Sequence, residues 1–253
     1  MEVKNTLNYD FEKSFERLDG ILSTAGDYTE KDTIPGRNEL TFTNGYYLNC
    51  YAVFVDIRES SQLPQKHTKP VLAKIYRCYI SEIVAIMQSY ENCKEVNIVG
   101  DCVSGIFMRG IKDDVLQPFN AAAHINSLVN TLNYKLKSKS YETIKIGIGI
   151  AVGKALMIKA GYSGSSLNDV VWMGDVVNEA SNLCNIANKQ GNEVIVLSEA
   201  VYNDLSGQKG GRTLEKPYQE MLTKTQNNNY TGNLINIGMD DWLKNKQGLP
   251  LTD

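Results

Sequence analysis

Apolar and polar positions alternate with different periods along the chain, and each change of period marks a new element. Tyr46 to Ile57 (YYLNCYAVFVDI) is an almost unbroken run of β-branched and aromatic residues, which predicts a buried strand ending on an acid. Leu72, Ile75, Tyr79, Ile83, Ile86 and Tyr90 recur at helical spacing and predict a helix over 69–90. Glu95 to Arg109 (EVNIVGDCVSGIFMR) reads as two short strands around a Gly-Asp turn. Phe119, Ala122, Val129 and Leu132 mark a second helix over 115–136. Thr143 to Val152 and Ala155 to Ala160 predict a second hairpin around Gly153-Lys154. Val177, Ala180, Cys184 and Ala187 give a third helix over 175–187, and Glu193 to Leu197 a further strand. Near the start, Phe11, Phe15, Leu18 and Leu22 line one face of a helix over 8–22, followed by a polar linker over 24–44. Near the end, Thr231 to Gly238 suits an edge strand.

The order is β-α-β-β-α-β-β-α-β. Hairpins mixed with helices predict an α+β fold, a largely antiparallel sheet with helices packed on one face, and exclude a doubly wound parallel sheet. The expected organisation is an N-terminal extension over 1–44, a main domain over 45–205 and a C-terminal extension over 206–253 that completes the sheet edge.

Composition narrows the class. The chain has 253 residues, 42% hydrophobic and 22% charged, enough for one large core. A formal net charge of −3 argues against a nucleic-acid or anionic-membrane partner. The five cysteines are scattered without a CxxC pair, which suits a reducing cytoplasm and excludes a structural zinc site. The first residues lack the apolar core of a signal peptide, and no apolar run is long enough to span a bilayer. Two histidines, His67 and His124, leave little room for a His-based triad.

The candidate chemistry lies in two carboxylates. Asp56 ends an apolar strand, and Asp101 tips a hairpin that could pair beside it. A carboxylate pair with few other ligands suits Mg²⁺ or Mn²⁺. Two such ions would clamp a phosphoryl transfer, with the polar stretch Ile57-Arg58-Glu59-Ser60-Ser61 cradling phosphates. The plainer reading is that Asp56 caps a helix and Gly100-Asp101 is an ordinary turn.

Four motifs, in order, resemble the class III nucleotidyl cyclases (the adenylate/guanylate cyclase catalytic domain). They are FVDIRESSQL, NIVGDCVSGIF, IKIGIGIAVGKALMIKAGYSG and VVWMGDVVNEASNLCNIAN. The resemblance implies a ferredoxin-like core and two metal ions held by Asp56, Asp101 and the Ile57 carbonyl. It implies that Asn178 orients the ribose, and that a head-to-tail homodimer builds composite sites from both subunits.

Three positions depart from the purine cyclases. Where they carry Lys or Glu and then Asp or Cys to read the base, this chain has Asn97 and Val171; where they carry a transition-state Arg, it has Asn182. Tyr47 and Tyr51 could narrow the pocket. This pattern resembles the pyrimidine cyclases of bacterial Pycsar anti-phage defence, whose product activates a separately encoded effector. The resemblance implies conversion of UTP to 3′,5′-cyclic UMP and pyrophosphate. CTP, a purine substrate, or a sensor module without turnover remain the alternatives. Arg58, Arg109, Lys154 and Arg212 are the candidate replacements for the missing cation.

Overall fold

The computed structural model describes residues 8–163, 168–213, 215–225 and 227–251. Of the expected terminal extensions, residues 1–7, 214, 226 and 252–253 lie outside the described residues, as do Gly164, the last residue of the third motif, and the three that follow it. In chain order the elements are α1 (Phe11–Ser23), β1 (Asp27–Glu30), β2 (Asn44–Ile57), the single-turn α2 (Leu63–Lys66), α3 (Lys69–Gln88), β3 (Cys93–Val99), β4 (Cys102–Met108), α4 (Leu116–Lys137), β5 (Ile146–Gly161), β6 (Asn168–Met173), α5 (Asp175–Ile186), β7 (Ile195–Leu197) and α6 (Glu199–Asp204). Short strands β8 (Lys209–Gly210), β9 (Lys216–Pro217), β10 (Thr223–Lys224) and β11 (Tyr230–Gly232) precede α7 (Ile237–Gln247).

One sheet carries the fold, in the order β10-β11-β7-β5-β2-β4-β3. β1 runs parallel beside the first part of β2, and β6 antiparallel beside the last part of β5. The β1–β2 and β5–β7 pairs are parallel, and the other pairs of this sheet are antiparallel.

The α+β class and antiparallel character agree with the sequence expectation, but the helices use both faces of the sheet. Tyr51, Val53, Val55 and Ile57 of β2 pack with Ile75, Tyr79 and Ile83 of α3 and with Phe119, Ile125 and Val129 of α4. Leu48, Cys50 and Ala52, the alternate positions, pack with Val176, Ala180 and Leu183 of α5. An unbroken apolar run such as YYLNCYAVFVDI is what a strand covered on both sides requires.

Two further expectations are corrected. The hairpin placed at Gly153-Lys154 is one continuous strand, β5, in which Gly153 and Lys154 pair with Cys50 and Asn49 of β2 in unbroken register. β5 continues to Gly161, which pairs with Asn168 of β6. The tail strand is not an edge: β11 lies between β7 and β10, and the chain then enters α7, whose Asn236 cap accepts from the Met239 N–H at 3.0 Å. No helix among the described residues is long and apolar enough to cross a membrane.

Helix α5 is seated by sequence. A Cβ on Gly149 would stand 2.1 Å from the Ala180 carbonyl oxygen and 2.2 Å from the Cys184 nitrogen. Only glycine lets the helix backbone rest directly on β5. The α1 helix is capped by Asp10, which accepts from the Lys13 N–H at 3.1 Å, and its apolar residues Phe11, Phe15, Leu18 and Leu22 are all exposed.

Candidate active site

The register of the central strands sets two carboxylates side by side. β2 pairs Val55 with Val103 of β4, and the β3–β4 hairpin closes at Val99 and Cys102. Gly100 takes the left-handed φ of +63° that this tight turn needs, which presents Asp101 at the end of β2 beside Asp56. The two acids interact. Burial raises the Asp56 pKa, the Asp101 charge and a hydrogen bond with it raise it further, and Arg58 and Lys189 oppose the rise.

The Oδ2 of Asp101 is buried with no hydrogen-bond partner among the described residues. A buried carboxylate oxygen left so is costly unless a cation faces it. Two neighbouring carboxylates offer only oxygen donors, which suit a hard divalent cation better than zinc or copper. Tyr76 and Tyr79 of α3 approach the same pair. Burial raises both phenol pKa values first, and the charges of Asp56 and Asp101 raise them further. The Tyr79 hydroxyl is buried with no hydrogen-bond partner among the described residues. Helical spacing marks Tyr79 as core; nothing in the sequence shows that its hydroxyl faces an acid pair.

Arg58 is not a free phosphate ligand. Its side chain is 5% exposed and its Nη2 donates to Asp56 Oδ2 at 2.9 Å. Its Nη1 donates to the carbonyls of Cys184 and Asn185, each at 3.1 Å. It therefore ties the end of β2 to the end of α5, and it is withdrawn from the candidate transition-state cations. Glu59 follows with a left-handed φ of +55°, turning the chain so that Ser60 and Ser61 begin a 3₁₀ turn beside the carboxylates.

Asn178 lies elsewhere. It is exposed near the start of α5, in an open cleft of about 430 Å³ shared with Asp175, Glu179, Asn182, Leu183, Asn227 and Asn229. It precedes Cys184, where Arg58 is anchored, by six residues, or about 9 Å of helix. One chain thus holds the carboxylate pair and Asn178 at opposite ends of α5.

Asn97 pairs with Ser104, and Ser104 with Phe54, so Asn97 shares a sheet face with Asp56. Val171 is 37% exposed on β6. The expected role of Tyr51 in narrowing the pocket is corrected: the strand alternation turns its ring into the α3–α4 core on the other face. There its hydroxyl donates to Asp204 Oδ2 at 2.8 Å. Tyr47 lies on that same alternation, beside Tyr28 of β1. The other candidate cations are engaged away from the carboxylates: Arg109 with Asp204, Lys154 with Glu30, and Arg212 with Asp241. The cation missed from the sequence is Lys189, whose charge acts on Asp56 and whose Nζ donates to Asn185 Oδ1 at 3.1 Å.

Paired acids at adjoining strand ends of an α+β sheet are an arrangement able to face a hard cation. Residues 44–231 match the adenylate and guanylate cyclase catalytic domain, and the chain belongs to that family. A uridylate cyclase from Gulbenkiania mobilis is 41% identical over 249 residues, covering 94% of this chain and 96% of the relative. A uridylate cyclase from Treponema porcinum is 33% identical over 237 residues, covering 94% of this chain and 82% of the relative. Among solved structures, a class III adenylyl cyclase-like ATP-binding protein from Pseudomonas aeruginosa superposes with a TM-score of 0.68 at 16% identity. That match covers 93% of this chain and half (50%) of the other.

Proposed function

We propose that this protein is a uridylate cyclase that closes UTP to 3′,5′-cyclic UMP and releases pyrophosphate. The observation that carries the reading is the Asp56–Asp101 pair with its orphaned buried oxygen, in a chain 41% identical to a uridylate cyclase. The ribose 3′-hydroxyl attacks the α-phosphorus, the bond to the pyrophosphate oxygen breaks, and the hydroxyl proton leaves to solvent. Asp56, Asp101 and the Ile57 carbonyl would hold two divalent cations, Mn²⁺ or Mg²⁺, which supply acidification of the hydroxyl and neutralisation of the triphosphate. Asn178 orients the ribose from a second subunit, because the two halves of the site stand apart in one chain. A head-to-tail homodimer completes two such sites. Asn97 and Val171 face the base, where they replace the purine-reading pair with a neutral one. The product acts on a separately encoded effector in anti-phage defence, in the cytoplasm, without a membrane or nucleic-acid partner.

The deciding experiment is incubation with all four ribonucleoside triphosphates and Mn²⁺, read by mass spectrometry. Cyclic UMP as main product supports the proposal. Cyclic CMP or a cyclic purine nucleotide replaces the base assignment, and no cyclic product from the folded dimer leaves a binding module.

A further inference from the structure

Arg37 joins two strands that the sheet order keeps apart. Its Nε donates to Glu95 Oε2 at 3.2 Å and its Nη2 to Glu95 Oε1, while its Nη1 donates to Asp169 Oδ1 at 3.0 Å. Glu95 is on β3 and Asp169 on β6. From β3 through β4, β2 and β5 to β6 there are four strand spacings, about 19 Å in a flat sheet. A guanidinium reaches over only a few ångströms. The sheet must therefore curl until β6 stands over the face that carries Asn97, and Arg37 fastens it there.

The fastening is firm at both ends. Glu95 is 7% exposed, and a carboxylate that deep needs a paired charge. The segment bearing Arg37 is held by the Gly36 N–H, which donates to Glu39 Oε1 at 2.9 Å. It is held also by Leu40, buried in the cluster of Ala52, Ile106, Val170 and Trp172. Asp169 Oδ1 also accepts from the Val170 N–H at 2.8 Å, so its carboxylate is aimed.

Each clamped acid stands two residues ahead of a base-facing position. Glu95 and Asn97 lie on one side of β3, and Asp169 and Val171 on one side of β6, by strand alternation. We infer that Arg37 is a specificity-determining positioning residue: by bridging Glu95 and Asp169 it fixes the separation of Asn97 and Val171, and hence the width of the base pocket. The inference rests on the proposed base-facing role of those two residues. A bidentate pair on one acid and a third bond to another need the guanidinium fork; an ammonium cannot make all three. The N-terminal segment, which brings no reacting group, thereby acts on base choice.

The test uses the full-length protein in three forms: wild type, Asp169→Asn and Arg37→Lys. Asp169→Asn removes only the exposed arm of the bridge, and Arg37→Lys keeps a charge beside Glu95, so both are expected to fold. The readout is the ratio of kcat/KM for UTP to that for ATP, together with the ratio of dissociation constants for the same two nucleotides. The second ratio is available even in a protein without turnover. In both variants the pyrimidine preference falls by about tenfold or more, mainly through KM, with thermal stability close to wild type. An Arg37→Gln, Glu95→Gln double variant, in which no charge is left buried alone, shows the same loss. A purely structural ion pair lowers stability and leaves both ratios fixed; unchanged ratios in folded Asp169→Asn and Arg37→Lys overturn the inference. If wild type prefers ATP, the uridylate proposal fails by itself. The inference is then still judged by whether the variants change the ratio.

Discussion

Arg58 donates to the Oδ2 of Asp56 at 2.9 Å from a buried guanidinium that also holds the Cys184 and Asn185 carbonyls. One side chain thus aims a carboxylate and caps the end of α5. Removing it strands two carbonyl acceptors and leaves Asp56 facing Asp101 with less opposing charge. Arg58→Ala is expected to cost about 3 kcal/mol in urea unfolding, and Arg58→Lys clearly less. Equal stability of wild type and Arg58→Ala contradicts this account of α5.

Asp56→Ala and Asp101→Ala each remove one carboxylate of the pair. Cyclic nucleotide formation is expected to fall at least about a hundredfold in either, with the circular dichroism spectrum unchanged. Wild-type rates with Mn²⁺ in either variant dismiss the pair as the cation site.

The charge state of Asp56 gives a pH signature. Burial, then the neighbouring Asp101, hold its pKa above the ordinary carboxylate value in the folded protein. An acid whose folded pKa is raised binds its proton more tightly folded than unfolded. Its ionised form therefore destabilises at neutral pH, and stability is recovered as pH falls through the raised pKa toward the ordinary value. Without divalent cations, Asp56→Asn should melt higher than wild type at neutral pH, and the gap should close in mild acid. A gap that stays constant across that range refutes the shift.

Asn178→Ala should lower kcat more than it raises KM, since ribose orientation matters most as the 3′-hydroxyl attacks. Mixing Asp56→Ala with Asn178→Ala, each strongly impaired alone, gives a sharper result. In a head-to-tail homodimer each mixed dimer regains one intact site, so activity returns to about a quarter of wild type. No recovery after subunit exchange, with both variants dimeric, removes the composite site.

Gly149 bears the α5 backbone directly. Gly149→Ala would place a methyl within 2.2 Å of two backbone atoms of α5. The expected loss is at least about 3 kcal/mol, read by chemical unfolding. A stability near wild type shows that the helix can lift from β5 at little cost.

The sequence by itself determined the central elements and the chemical residues. Unbroken apolar runs for β2 and helical spacing for α3, α4 and α5 are local patterns, and the acids stand at their ends. It misplaced the turn at Gly153-Lys154 because a glycine can mark a turn or lie within a strand, and only the pairing of both residues with β2 decides between them. It could not separate Tyr51 from Asn97 as pocket residues, since the face a strand residue points to depends on register with β4 and β5. Nor could it show that Arg37, Glu95 and Asp169 meet. Fifty-eight and 132 residues of chain separate Arg37 from its two partners, and only the curl of the folded sheet closes that distance. Periodicity is written along the chain; which charges become neighbours is set by how the sheet bends in three dimensions.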